Sequence, residues 1–206
     1  MTEEEKRQIV PTGSVVCVGD TKFLVAGYRT VETDGKNAPA YVLLPWPYGY
    51  LNRKSVFICP LSGITGLQGE GYRGEEEEPW PGQMEGLLPV GSIVRHKEAP
   101  DIRYMIAGYY PAVADEIRDY AAVRYPVGLS AATRLELFDQ DKISSVLFVG
   151  YQDEASKSIL RRIPEFMQRT GELMRETEEL LQQIQDLTGE GNDNVDREDP
   201  FSIRME

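Results

Sequence analysis

The sequence predicts an α+β protein: two small β-rich domains in tandem, barrel-like or rolled-sheet, followed by an amphipathic C-terminal helix and a disordered acidic tail. Three observations predict it. Four short landmarks recur in the same order along two stretches of chain. Each stretch consists of short apolar runs punctuated by Gly and Pro. Beyond residue 152 the apolar spacing changes from that of strands to that of a helix.

The landmarks define the repeat. Pro11-Thr12-Gly13-Ser14-Val15-Val16 returns as Pro89-Val90-Gly91-Ser92-Ile93-Val94. Phe23 to Tyr28 returns as Tyr104 to Tyr109, both ending in Ala-Gly-Tyr. Tyr41 to Gly49 returns as Tyr120 to Gly128, both closing on an aromatic, a proline, any residue and a glycine. Gly71-Tyr72 returns as Gly150-Tyr151, at the same offset as the pair before it. The domains are read as repeat 1 over 8–72, an acidic Pro/Gly linker over 73–87 and repeat 2 over 88–152. A helical segment over 153–188 and the tail over 189–206 complete the chain.

Within each repeat, Gly-Ser followed by β-branched residues opens a first strand, and Lys22 to Tyr28 is a second. Asp34-Gly35 marks a tight turn into a third, Ala40 to Leu44, whose unbroken apolar run predicts burial on both faces. Pro45 and Pro47 end it, because proline cannot donate to a ladder. Val56-Phe57-Ile58 is a candidate fourth strand. Asp141 to Phe148 reads as a helical turn leading into a last strand. In the linker, Glu75 to Glu78 repel one another beside Pro and Gly. In the helical segment Asp153 is a candidate N-cap, and Pro164 predicts a break or kink. Phe166, Leu173, Leu180 and Leu187 fall seven apart, with Ile184 between, on a stripe that either packs on the β domains or pairs with another helix.

With net charge −12, the chain is a poor match for nucleic acid or anionic membranes, which need clustered Lys and Arg. Such charge suits basic partners. No segment approaches the ~20 apolar residues that span a bilayer, and the N-terminus lacks a signal-peptide pattern. Cys17 and Cys59, far apart, fit buried thiols of a reducing compartment. The expectation is a cytoplasmic protein that does not insert into membranes.

Candidate chemistry is sparse. His96 is the single histidine, set in a polar stretch without a metal-ligand spacing, and reads as a surface residue. The glycines from Gly63 to Gly71 lack the Gly-Lys-Ser/Thr of a P-loop and read as turn and strand positions. No catalytic, metal or cofactor residue is assigned. The aromatic clusters Trp46, Tyr48, Tyr50 and Tyr109, Tyr110 are either interface anchors or ordinary core residues. With Phe166, Leu173, Leu180 and Ile184 they form the candidate partner-binding set.

The second repeat resembles a known family. Leu88 to Val94, Met105 to Tyr109, Asp119-Tyr120, Tyr125 to Gly128, Phe138-Asp139 and Ile143 to Glu154 are similar to a domain-of-unknown-function family of small proteins encoded beside LXG toxins in type VII secretion loci of Gram-positive bacteria. The likeness covers roughly 88–155. Repeat 1 follows it in part, departing at Pro45-Trp46-Pro47 and from Cys59 to Gly69. The resemblance implies a non-enzymatic adaptor or chaperone for a toxin or secretion component, and carries over no catalytic residue. An immunity protein that blocks a toxin domain is the first alternative, and a small-molecule-binding module the second. A homodimer through the C-terminal helix stays open.

Overall fold

In a computed structural model of the chain, residues 9–33, 35–74, 86–113, 116–130 and 132–188 are described. The first five-stranded antiparallel sheet holds β1 (Val15–Val18), β2 (Thr21–Thr33), β3 (Lys36–Pro45), β4 (Phe57–Pro60) and β5 (Gly66–Gly69), ordered β4-β3-β2-β1-β5. After β6 (Ile93–His96) and β7 (Ala99–Tyr109) comes a small ribbon of β8 (Ala112–Val113) and β9 (Glu116–Ile117). Then β10 (Tyr120–Arg124), β11 (Glu136–Phe138) and β12 (Ile143–Phe148) complete a second sheet, ordered β11-β10-β7-β6-β12. Strand for strand, the two orders are the same. Among the described residues there is one α-helix, α1, which spans Glu154–Thr188.

The α+β, strand-rich class stands, but the barrel-like closure does not. β4 and β5 are separate edges of the first sheet, and β11 and β12 of the second. The physical reason lies in how apolar surface is buried. Each sheet covers one face with the other sheet, so closure on itself is not needed. Val15, Leu24, Ala26, Val42 and Leu44 of the first sheet share one core cluster with Val90, Ile93, Met105, Ala107 and Val123 of the second. A smaller cluster, Val16, Val25, Tyr41, Leu43 and Cys59, belongs to the first sheet alone. The chain divides into two compact units, the first ending at Ile163 and the second beginning at Pro164. Both sheets therefore lie in one unit.

Local expectations hold in several places. The residues from Ala40 to Leu44 are all buried. Thr33 pairs with Lys36, and Gly35 before it has φ +71°, while Asp34 lies outside the described residues. A 3-10 turn over Gln140–Lys142 leads into β12. Asp153 caps α1 in a reciprocal box: its carboxylate accepts from the Ser156 N–H at 2.8 Å, and its own N–H donates to Ser156 Oγ at 2.9 Å. Leu160 is buried and Ile163 packs on the main core. Other expectations need correction. Of the break or kink expected at Pro164, the break does not occur, because α1 runs through it. Leu87, assigned to the linker, is buried, because it packs into the core beside Leu88. The rest of that linker from 75 to 85, and the tail from 189, lie outside the described residues.

Candidate functional site

The recurring glycine motifs build the contact between the sheets. The loop after β3 reaches the second sheet, where Gly49 bridges Gly108 and the Tyr50 N–H donates to Ala107 O at 2.7 Å. The loop after β10 does the same in return: Gly128 bridges Gly27, and the Leu129 N–H donates to Ala26 O at 2.7 Å. Backbones meet here without room for side chains. A Cβ on Gly49 would lie 2.1 Å from Ala107 O, and one on Gly128 would lie 2.3 Å from Ala26 O. Both glycines also hold positive φ, +73° and +72°. The contacts are reciprocal, as in an isologous dimer whose halves share one chain.

Aromatic residues flank this clamp in matched pairs. Trp46 packs on Tyr151 with centroids 5.5 Å apart, and Tyr125 on Tyr72 at 5.7 Å. Lys22 Nζ lies 5.0 Å from the Trp46 ring centre, and the Arg103 guanidinium 5.6 Å from that of Tyr125. Lys22 also pairs with the helix cap Asp153 at 2.7 Å. That hydrogen bond raises the Lys22 pKa and lowers that of Asp153. Buried hydroxyls fix the segment entering each sheet. The Leu88 N–H donates to Tyr120 Oη at 2.8 Å, and the Val10 N–H to Tyr41 Oη at 3.2 Å. Burial pushes Tyr28 up to about 12 and holds Tyr109 and Tyr120 well above the usual tyrosine value.

Of the residues singled out by sequence, Trp46, Tyr50, Tyr109 and Tyr110 pack against the main core. The Val90 N–H donates to Tyr109 Oη at 2.9 Å, and the Tyr110 N–H to Asp119 O at 3.1 Å. Tyr48 is exposed at the tip of its loop. In the second unit, Phe166 and Leu180 are 69% and 58% exposed. Leu173 and Ile184 lie on the same helix, with side chains outside the described set.

A cleft of ≈450 Å³ opens on the second sheet. His96 of β6, Tyr104 of β7 and Phe138 of β11 give it an aromatic floor, with Phe138 5.2 Å from His96 and 5.9 Å from Tyr104, both edge-on. Glu98, Arg118, Glu136, Asp139 and Lys142 supply charge. Arg118 donates to Asp139 Oδ2 at 2.8 Å, and this bond holds the Asp139 carboxyl below the usual carboxylate range. Asp139 also accepts from the Asp119 N–H at 3.2 Å. His96 Nδ1 accepts from the Glu98 N–H at 3.1 Å, which fixes the ring. Among the described residues, no group of three or more His, Cys, Asp or Glu side chains has a metal-holding arrangement.

Sequence reading treated His96 as an ordinary surface residue and passed over Arg118, Glu136, Phe138 and Lys142. Glu136, Phe138 and Lys142 share the short stretch of β11 and the turn after it, but His96 and Arg118 come from distant segments, so no one motif unites the set. A signal was present in the difference between the repeats. By strand register, His96 corresponds to Val18, Tyr104 to Phe23, Glu136 to Phe57 and Phe138 to Cys59. Polar or larger aromatic residues in one copy replace apolar ones in the other.

Fold and site thus define a strand-rich α+β protein whose two like sheets carry different outer chemistry. Residues 87–159 match the model of a domain of unknown function, DUF4176. That segment contains the second sheet, the whole cleft and the start of α1, and it supports the unknown-function family read from residues 88–155. No curated protein and no solved structure matches the chain.

Proposed function

We propose that the chain is a cytoplasmic, non-enzymatic adaptor or chaperone that binds a toxin or secretion component of a type VII locus. One observation carries this reading. In the unit that begins at Pro164, α1 presents Phe166 and Leu180 to solvent, two large apolar side chains on one heptad stripe. Exposed apolar anchors at such spacing fit a helix that docks into a partner's groove. No helix among the described residues is long and apolar enough to cross a membrane, so lipid burial by a spanning helix is not the explanation for them.

The net charge of −12 favours a second reading, an immunity protein that masks a basic toxin domain. Binding of the full chain to the two ends of the neighbouring toxin separates the readings. An adaptor binds the N-terminal targeting region, and an immunity protein the C-terminal catalytic region. The Phe166→Glu/Leu180→Glu double variant is expected to weaken adaptor binding by at least about tenfold, the loss of one modest hot spot. Undiminished binding by that variant would remove the helix from the account.

A further inference from the structure

We propose that the cleft of the second sheet is a guanidinium pocket that takes an arginine side chain from a basic peptide segment. The inference rests on the protein-binding reading only for the source of that arginine. Its first support is the state of the cleft's carboxylates. Asp139 is engaged by Arg118 at 2.8 Å and by a backbone N–H. Glu98 and Glu136 are held loosely, 3.5 Å from Lys142 and 3.9 Å from Arg124, with their side chains 73% and 43% exposed. Long, solvent-screened pairs contribute little, so an entering cation displaces them at small cost.

Next comes shape. A volume of ≈450 Å³ lies within the ordinary range of ligand pockets and accommodates one long side chain with flanking backbone. The floor is aromatic, and a guanidinium both stacks on rings and donates in a planar fork to carboxylates. An anion fits less well. Three carboxylates, Glu98, Glu136 and Asp139, stand against Arg118 and Lys142, and Arg118 is already committed. The net charge of −12 also draws basic segments toward the chain. Finally, the first sheet acts as an internal control. Its corresponding positions carry Phe57, Cys59 and Val18, which include a ring but no carboxylate to receive a guanidinium's hydrogen bonds.

The test uses the full chain and three probes: a capped Gly-Arg-Gly tripeptide, its citrulline counterpart, and free arginine. Binding is followed by two-dimensional amide NMR. The arginine tripeptide is expected to shift the signals of His96, Phe138 and Lys142 saturably. The citrulline peptide should bind at least about tenfold more weakly, and so should the Glu98→Gln/Glu136→Gln variant with the arginine peptide. Both substitutions are at exposed carboxylates, and an unchanged far-UV spectrum verifies the fold. The proposal is overturned by the absence of saturable shifts at the cleft, or by equal affinity in the double variant. Free arginine binding more tightly than the capped peptide would overturn the peptide source. No partner protein enters this experiment, so its failure is separable from that of the helix-docking reading.

Discussion

Where the first sheet carries Val18, Phe23, Phe57 and Cys59, the second carries His96, Tyr104, Glu136 and Phe138, on strands paired in the same order. In the first sheet that face is a closed apolar cluster around Val16, Val25, Tyr41 and Leu43, covered by Ile9, Leu61 and Ile64. In the second the matching Val94, Ile106, Tyr120 and Ala122 are equally buried, and a charged cleft opens beside them. Strand order and inter-sheet clamp are shared, so the difference lies in side chains and in the connection through β8 and β9, which brings Arg118 to the cleft. Both sheets pack the centre of this face, and they differ at its rim, where the second adds charge beside its aromatic residues. Fold likeness within a single chain does not imply likeness of role.

The comparison breaks most severely at what the sheets share. Gly49→Val puts a β-branched side chain at positive φ and against Ala107 O, and Gly128→Val does the same against Ala26 O. Each is expected to cost about 2–5 kcal/mol, from backbone strain plus overpacking, read as a lower denaturation midpoint. Equal losses at the two sites would mark the clamp as symmetric in energy as well as geometry.

Equal to these or smaller are changes confined to one sheet. Leu43→Ala in the closed cluster of the first sheet should cost about 2–5 kcal/mol by denaturant titration, since Leu43 is 1% exposed. Tyr120→Phe in the second removes a hydroxyl that accepts from Leu88 N–H and donates to Gln140 Oε1, at a cost of about 1–3 kcal/mol. Tyr41→Phe leaves only the Val10 N–H without its acceptor, so its cost should be the smaller of the two.

The smallest effect concerns the helix cap. Lys22 and Asp153 are about a third exposed, so Lys22→Ala should lower stability by only about 0.5–1 kcal/mol. Its pH dependence has a definite sign. Asp153 is lowered, so the pair's contribution is present above the unfolded carboxylate value near 4 and is lost as pH falls through the folded one. Lys22 is raised, so on the alkaline side the contribution is lost as pH rises through its folded value. Melting temperatures of wild type and Lys22→Ala should differ near neutrality and converge as pH falls through the lowered Asp153 value.

Local chemistry made much of the fold legible. Ala40 to Leu44 announced its burial, Asp-Gly its hairpin, and Asp153 its helix cap, because each depends on neighbours in sequence. The landmarks were legible as a repeat but not as a clamp. Gly27 and Gly128 acquire their meaning from each other, across a separation that no short-range pattern spans. Trp46 and Tyr109 read equally well as anchors or as core, since amphipathic rings serve both. The cleft was hidden for a related reason. Glu136 and Lys142 lie near Phe138 in sequence but read as ordinary surface charges until the fold brings Arg118 and His96 beside them.

The most direct test of the account is equilibrium unfolding of the full chain, followed together by far-UV circular dichroism and by Trp46 fluorescence in a Trp80→Phe background. Two sheets joined by a reciprocal clamp and a shared core should unfold in one coincident transition, which Gly49→Val shifts as a whole. Two separated transitions, only one of them moved by that substitution, would show tandem domains that fold independently and would contradict the account.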